Sequence, residues 1–159
     1  MVSQRAILEF PFTWAAQIEP NRDASGQPIE LMPQNRYAKA ATTPLNPNGA
    51  GPFCRFTVKN LSQSSGVYAV TVEGQLVYVG KGQNLAERWG PRGYSAIHPR
   101  NCYVGGQSTN CKVNHRILVA AHRNRTIELW IHETDQPTAV ESRLIRSLDP
   151  PWNSQVPRA

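Results

Sequence analysis

The chain has 159 residues, 40% of them hydrophobic, enough for a core that folds without disulfides or a structural metal. Seventeen Lys and Arg against 11 Asp and Glu leave a net charge of +6, and 13 of the 17 cations are arginine, the side chain that forks onto phosphate and guanine. Cys54, Cys102 and Cys111 are odd in number and lack CxxC spacing, which argues against a disulfide framework or zinc ribbon and for a reducing, cytoplasmic compartment.

The opening MVSQRAILEFPFTW has no long apolar core and no small-residue cleavage site, so it is not read as a signal peptide. No apolar run reaches membrane-spanning length, and no membrane partner is expected. Residues 1–60 carry prolines at 11, 20, 28, 33, 44, 47 and 52. That density reads as an extended arm with one short helix, packed through Phe10, Phe12 and Trp14 on the body or on a second subunit. FCRFTV, 53–58, reads as a short strand.

From residue 61 the pattern becomes regular. GVYAVTV (66–72) and QLVYVG (75–80) are strands joined through Glu73-Gly74, a tight hairpin signal. NLAERW continues as one or two helical turns. A Gly/Pro-punctuated polar stretch follows, expected as a recognition loop over about 90–112. Val113, Ile117, Ala120 and Ala121 then recur at helical spacing behind Ser108 and Thr109. TIELWIH (126–132) is a strand, and Pro137 opens the helix PTAVESRLIRSL, with Thr134 or Asp135 near its cap. Asp149-Pro150-Pro151 stops that helix and leaves WNSQVPRA as a tail. The order β-β-α-α-β-α predicts an α+β fold. A central, mainly antiparallel three-stranded sheet is flanked by helices behind the proline-rich extension, and the core spans 61–159.

Gly66-Val67-Tyr68 and Tyr78-Val79-Gly80 resemble the paired motifs of the GIY-YIG nuclease superfamily, with Val for Ile in both. The family's later signature is an Arg on the following helix, a Glu on a helix after the third strand and a closing Asn; Arg88, Glu141 and Asn153 stand at those places. Lys81 and Asn84 are similar to the excision-repair branch. Each residue alone has an ordinary explanation: aromatic strand residues, solvated helix charges, a turn cap. The ordered set does not. GKGQN, for its part, lacks the spacing of a phosphate-binding P-loop.

The resemblance implies phosphodiester hydrolysis by Tyr68, Tyr78, Lys81, Arg88, Glu141 and Asn153. A carboxylate at Glu141 suits Mg²⁺ (or Mn²⁺), which binds through one or two carboxylates, waters and substrate phosphate. Arg88 suits a bidentate phosphate grip. A phenol, with an ordinary pKa near 10, needs a nearby cation to act as a base at neutral pH. Tyr78 is favoured as that base, with Tyr68 assisting and Lys81 on phosphate or water. Asn153 would hold the geometry.

No separate recognition domain is visible, and Arg92, Arg100, Asn101, Gln107, Asn110, Lys112, Asn114 and Arg116 are base- or phosphate-reading types. His98 lies in the same loop and is the histidine expected to reach DNA; His115, His122 and His132 have no zinc-like spacing. These insertions are similar to the type II restriction endonuclease branch. That branch implies a homodimer cutting double-stranded DNA, with no small-molecule cofactor. The alternatives are a non-specific or structure-selective DNase, or a DNA-binding module without catalysis.

Overall fold

The computed structural model describes residues 3–153; the first two residues and the expected tail beyond Asn153 lie outside the described residues. The chain divides into two compact units: one holds the residues up to Ile18, Lys59–Ala86 and the chain from Thr126 on, and the other holds Glu19–Val58 and Glu87–Arg125.

The first unit is built on one antiparallel sheet. Its strands are β1 (Gln4–Ile7), β2 (Phe10–Gln17), β3 (Gly66–Val72), β4 (Gln75–Gly82) and β5 (Ile127–Glu133), in the order β1-β2-β5-β3-β4. The fold class is mixed α and β, but the sheet has five strands rather than three. The two additional strands come from the proline-rich leading segment. Pro11 masks them in the sequence because it lacks the N–H of a regular ladder residue. Here it is accommodated opposite Ala6, and its carbonyl accepts a hydrogen bond from Nδ1 of His132 at 2.8 Å. Phe12 is fully buried, and Trp14 donates from Nε1 to Glu128 at 2.7 Å, which fixes β2 on β5.

The hairpin β3–β4 turns at Glu73 and Gly74, with φ of 51° and 77°. Positive φ at both central residues is the requirement of a type I′ turn, which matches the right-handed strand twist. Leu85–Arg88 forms the short helix α1, whose first N–H groups are taken by the Ser64 and Ser62 carbonyls. α3 (Pro137–Leu148) starts on Pro137 and ends in left-handed Asp149 before two prolines. Its cap differs from expectation: Gln136 holds the N-cap position without a side-chain bond, while Thr134 Oγ1 accepts from the Gln136 N–H. Val140 and Leu144 of α3 pack with Val67, Ala69, Val79 and Trp130 on one sheet face.

The second unit surrounds α2 (Ser108–His122), which buries Val113, Ile117, Leu118 and Ala121. Phe53, Phe56, Trp89 and Tyr94 complete its interior, the last two with ring centroids 4.6 Å apart. The strand expected at 53–58 is absent, since Phe53 forms only an isolated bridge with Leu31. Its hydrogen-bonding needs are met elsewhere: Asn114, itself fully buried, accepts from the Cys54 N–H and donates to the Cys54 and Tyr94 carbonyls at 2.8–2.9 Å. The polar stretch before α2 is also less irregular than expected, since Pro99–Cys102 forms a 3-10 turn.

Candidate active site

The hairpin brings Tyr68 and Tyr78 together through an irregularity. A two-residue turn with regular pairing, Val72 opposite Gln75 and Thr71 opposite Leu76, would set Tyr78 against Ala69. Its ring would then lie on the α3 face of the sheet, away from Tyr68. The register shifts between Thr71 and Val70 instead, so Val70 opposes Tyr78 and Tyr68 opposes Gly80. Val77 is the extra residue of a β-bulge, and it re-aims everything after it. Both tyrosines consequently share the face opposite Val67, Ala69 and Val79. Their ring centroids are 6.2 Å apart at 30°. Both are buried, Tyr68 at 1% and Tyr78 at 5% exposure.

Gly80 is required by the same arrangement. A Cβ built there would lie 2.5 Å from the Tyr68 hydroxyl oxygen, so the ring lies across the glycine. Gly66 is likewise hemmed in, since a Cβ would meet the His132 carbonyl at 2.6 Å. The glycines of GVY and YVG are spaces into which neighbouring groups pack.

β4 is the edge strand, and its outer side is closed by Asn153. The Asn153 amide accepts from the Val79 N–H at 2.9 Å and donates to the Val79 carbonyl at 2.7 Å, as an adjacent strand would. Asn153 is positioned by the 3-10 turn Pro151–Asn153, anchored by buried Trp152. On the α3 side, Lys81 Nζ donates to Thr138 Oγ1 at 3.0 Å. Thr138 and Glu141 are three residues apart on α3, neighbours on one face of the helix. Lys81 and the half-buried Glu141 thus flank the same helical row.

The donor set bears on a metal. Among the described residues no three His, Cys, Asp or Glu side chains cluster as metal ligands. A single carboxylate is compatible with Mg²⁺, which keeps waters and shares substrate phosphate. Glu141 is a carboxylate of that kind, half-buried on α3.

Arg88 lies in the second unit and is held firmly there. Its guanidinium donates to Asn110 Oδ1 at 2.8 Å and to the Tyr94 hydroxyl at 2.9 Å, and its Cζ lies 4.2 Å from the Tyr94 ring centroid. Gly93 lets the chain close on the Arg88 carbonyl, which accepts from the Tyr94 N–H at 3.0 Å. Tyr94 and Asn110 were not singled out as partners of Arg88 in the sequence. The available signal was an Arg followed by Gly-Tyr within a tight turn.

The expected DNA-reading groups separate by exposure. Arg92, His98, Arg100 and Gln107 are exposed, and Asn101, Lys112 and Arg116 are half-buried. Asn110 is fully buried between Arg88 and Gln107, and Asn114 is spent on Cys54 and Tyr94, so in this structure their amides order the unit instead of facing solvent. His98 Nδ1 accepts from the Arg100 N–H at 3.2 Å and caps the 3-10 turn. Burial, with Arg116 one turn away adding to it, lowers the Lys112 ammonium pKa. The other histidines have local partners: His115 meets the Pro52 carbonyl and His122 meets Glu30.

All three cysteines are buried and unbridged. Burial pushes the Cys54 thiol up to about 12, which keeps it protonated and inert. Cys111 Sγ donates to the Asn101 carbonyl at 3.1 Å, and the neighbouring Cys102 raises the Cys111 pKa while its own is lowered. No helix among the described residues is long and apolar enough to cross a membrane.

No family model matches the sequence, and no curated protein matches it. Among solved structures, the chain is similar to one of a point mutant of bacteriophage T4 EndoII. The TM-score is 0.49 at 20% identity, over 70% of this chain and 87% of that chain. The motif residues, rather than this likeness, carry the functional reading.

Proposed function

We propose that the protein is a Mg²⁺-dependent endonuclease that hydrolyses DNA phosphodiester bonds, of the site-specific restriction kind, acting as a homodimer on double-stranded DNA. The observation that carries this reading is the interlock around YVG. Tyr68 packs across Gly80, Asn153 clamps Val79, and Lys81 bonds α3 beside Glu141. The Val77 bulge turns Tyr78 to the Tyr68 face, and Lys81 meets Thr138 on the helix that carries Glu141; grouping these residues with Arg88 in one site rests on the family resemblance.

In this reading Tyr78, as its phenolate, orients the attacking water and takes its proton, with Tyr68 beside it as hydrogen-bonding support. The water oxygen bonds to phosphorus as the bond to the 3′ oxygen breaks, and the departing 3′ oxygen takes a proton from solvent. Lys81 provides positive charge near the phosphate, and Arg88 contributes a bidentate phosphate grip. Glu141 would hold the divalent ion, whose contribution when bound is charge neutralisation at the phosphate. Asn153 acts through Val79, keeping the edge strand and hence Tyr78 in place.

Incubating supercoiled plasmid with the protein and Mg²⁺ tests the reading. Discrete fragments are expected, together with loss of cutting in Glu141→Gln and retention of DNA binding. A smear would mean a non-specific DNase. Equal binding by wild type and variant, with cutting by neither, would mean a binding module.

A further inference from the structure

The second unit contains a cavity that the proposed chemistry does not use. Its volume is about 470 Å³, within the usual 300–1,000 Å³ of ligand sites. Ile29, Leu31, Met32 and Ile97 provide apolar lining, and Arg36 and Arg55 add two guanidinium groups. Ile29, Leu31 and Met32 are 38%, 38% and 44% exposed, an unusual concentration of apolar surface on a basic protein. Both arginines are exposed and make no side-chain hydrogen bond or ion pair among the described residues.

The wall is preformed. Leu31 and Phe53 exchange both backbone hydrogen bonds at 2.8 and 2.9 Å, the Asn21 N–H bonds the Arg55 carbonyl, and the Ile29 N–H bonds the Asn21 carbonyl. Asp23 ties the connecting turn through its bonds with Ser25 and Gln27. A ligand would meet a fixed surface and lose little free energy to ordering it.

We propose that this cavity binds an unpaired nucleotide of a nucleic-acid strand, its phosphates on Arg36 and Arg55 and its base on the aliphatic floor. Two cations alone would suit any duplex backbone. The apolar floor selects further, because a paired base hides its faces in the stack, whereas an unpaired one offers them. The unpaired nucleotide can come from a single strand or from a base extruded from a duplex at an energetic cost. The proposal shares with the nuclease reading only the class of polymer.

Fluorescence anisotropy with EDTA present tests it without cleavage. Three labelled oligodeoxynucleotides serve as probes: a 12-mer single strand, a fully paired hairpin, and that hairpin with one unpaired nucleotide. The double variant Arg36→Ala/Arg55→Ala should weaken single-strand binding at least tenfold and flatten its log–log salt slope by about 1.4, at 0.7 per phosphate. Met32→Asp should weaken it similarly by spoiling the floor. The fully paired hairpin should change less than threefold. An effect on the single strand and the interrupted hairpin alike assigns both sources, and an effect on one assigns that source. Unchanged binding of both, no wild-type binding of either, or equal loss on all three probes with Met32→Asp silent would overturn the proposal. Plasmid cutting by wild type, scored separately, judges the nuclease reading alone.

Discussion

A single hydroxyl separates Tyr78 from phenylalanine, and the ring that carries it is already buried. Tyr78→Phe therefore keeps the ring packed against Tyr68 and removes the hydroxyl that the proposal makes the proton acceptor. Cleavage should fall by about 10²-fold or more, the usual contribution of general-base catalysis, with the far-ultraviolet circular-dichroism spectrum of the folded chain retained. A wild-type rate in that variant would remove the base role. Gly80→Ala acts differently: its Cβ must displace the Tyr68 ring, an overpacking worth about 1–3 kcal/mol, read as a lower melting temperature and an altered near-ultraviolet signal. At this scale the sequence was legible where side-chain chemistry is unusual for its setting, as with two tyrosines flanked by glycines. It misled where a polar side chain has two ordinary fates. Asn110 and Asn114 carry base-reading amides, but in the structure those amides satisfy buried groups, and residue type alone does not say which way an amide points.

Elements decide whether those residues meet. The hairpin was readable because runs rich in β-branched and aromatic residues bracket Glu73-Gly74, yet the bulge at Val77 was not, since an extra valine looks like any strand residue. Deleting Val77 tests its role directly. Without the extra residue Val70 still opposes Tyr78 and Tyr68 still opposes Gly80, so the variant should keep a folded circular-dichroism spectrum and the shared face of the two tyrosines, read as an unchanged near-ultraviolet signal. Asn153→Ala leaves both Val79 backbone groups without their side-chain partner, costing about 1–3 kcal/mol by urea unfolding. Cleavage should fall with it, and Asn153→Asp, which keeps the acceptor but not the donor, should lie between. β1 and β2 escaped sequence reading because Pro11 and the mixed Phe-Thr-Trp pattern resemble wrapping coil. They are strands because β5 offers a partner that local sequence does not contain. α3 had the opposite character: Pro137 at its start and Asp149-Pro150 at its end fixed both boundaries in the sequence itself.

For the molecule as a whole, the +6 charge and the arginine excess make an electrostatic prediction that no single site makes. Each phosphate neutralised on duplex DNA releases condensed counterions, so log affinity should fall by about 0.9 per contact for each unit of log salt. Six to ten contacts would cost about 10³ to 10⁵ in affinity between 50 and 200 mM salt. Chemistry on DNA already bound should respond far less, because close charges in a partly buried site are screened weakly by salt. Equilibrium binding with EDTA and single-turnover cleavage at saturating protein, both across that salt range, separate the two quantities. Arg88→Ala then sorts its residue between them: loss concentrated in the single-turnover rate marks a transition-state contact, and equal loss in rate and affinity marks a backbone contact. Affinity that ignores salt would remove a phosphate polymer as the partner and leave the positive charge as a matter of solubility alone.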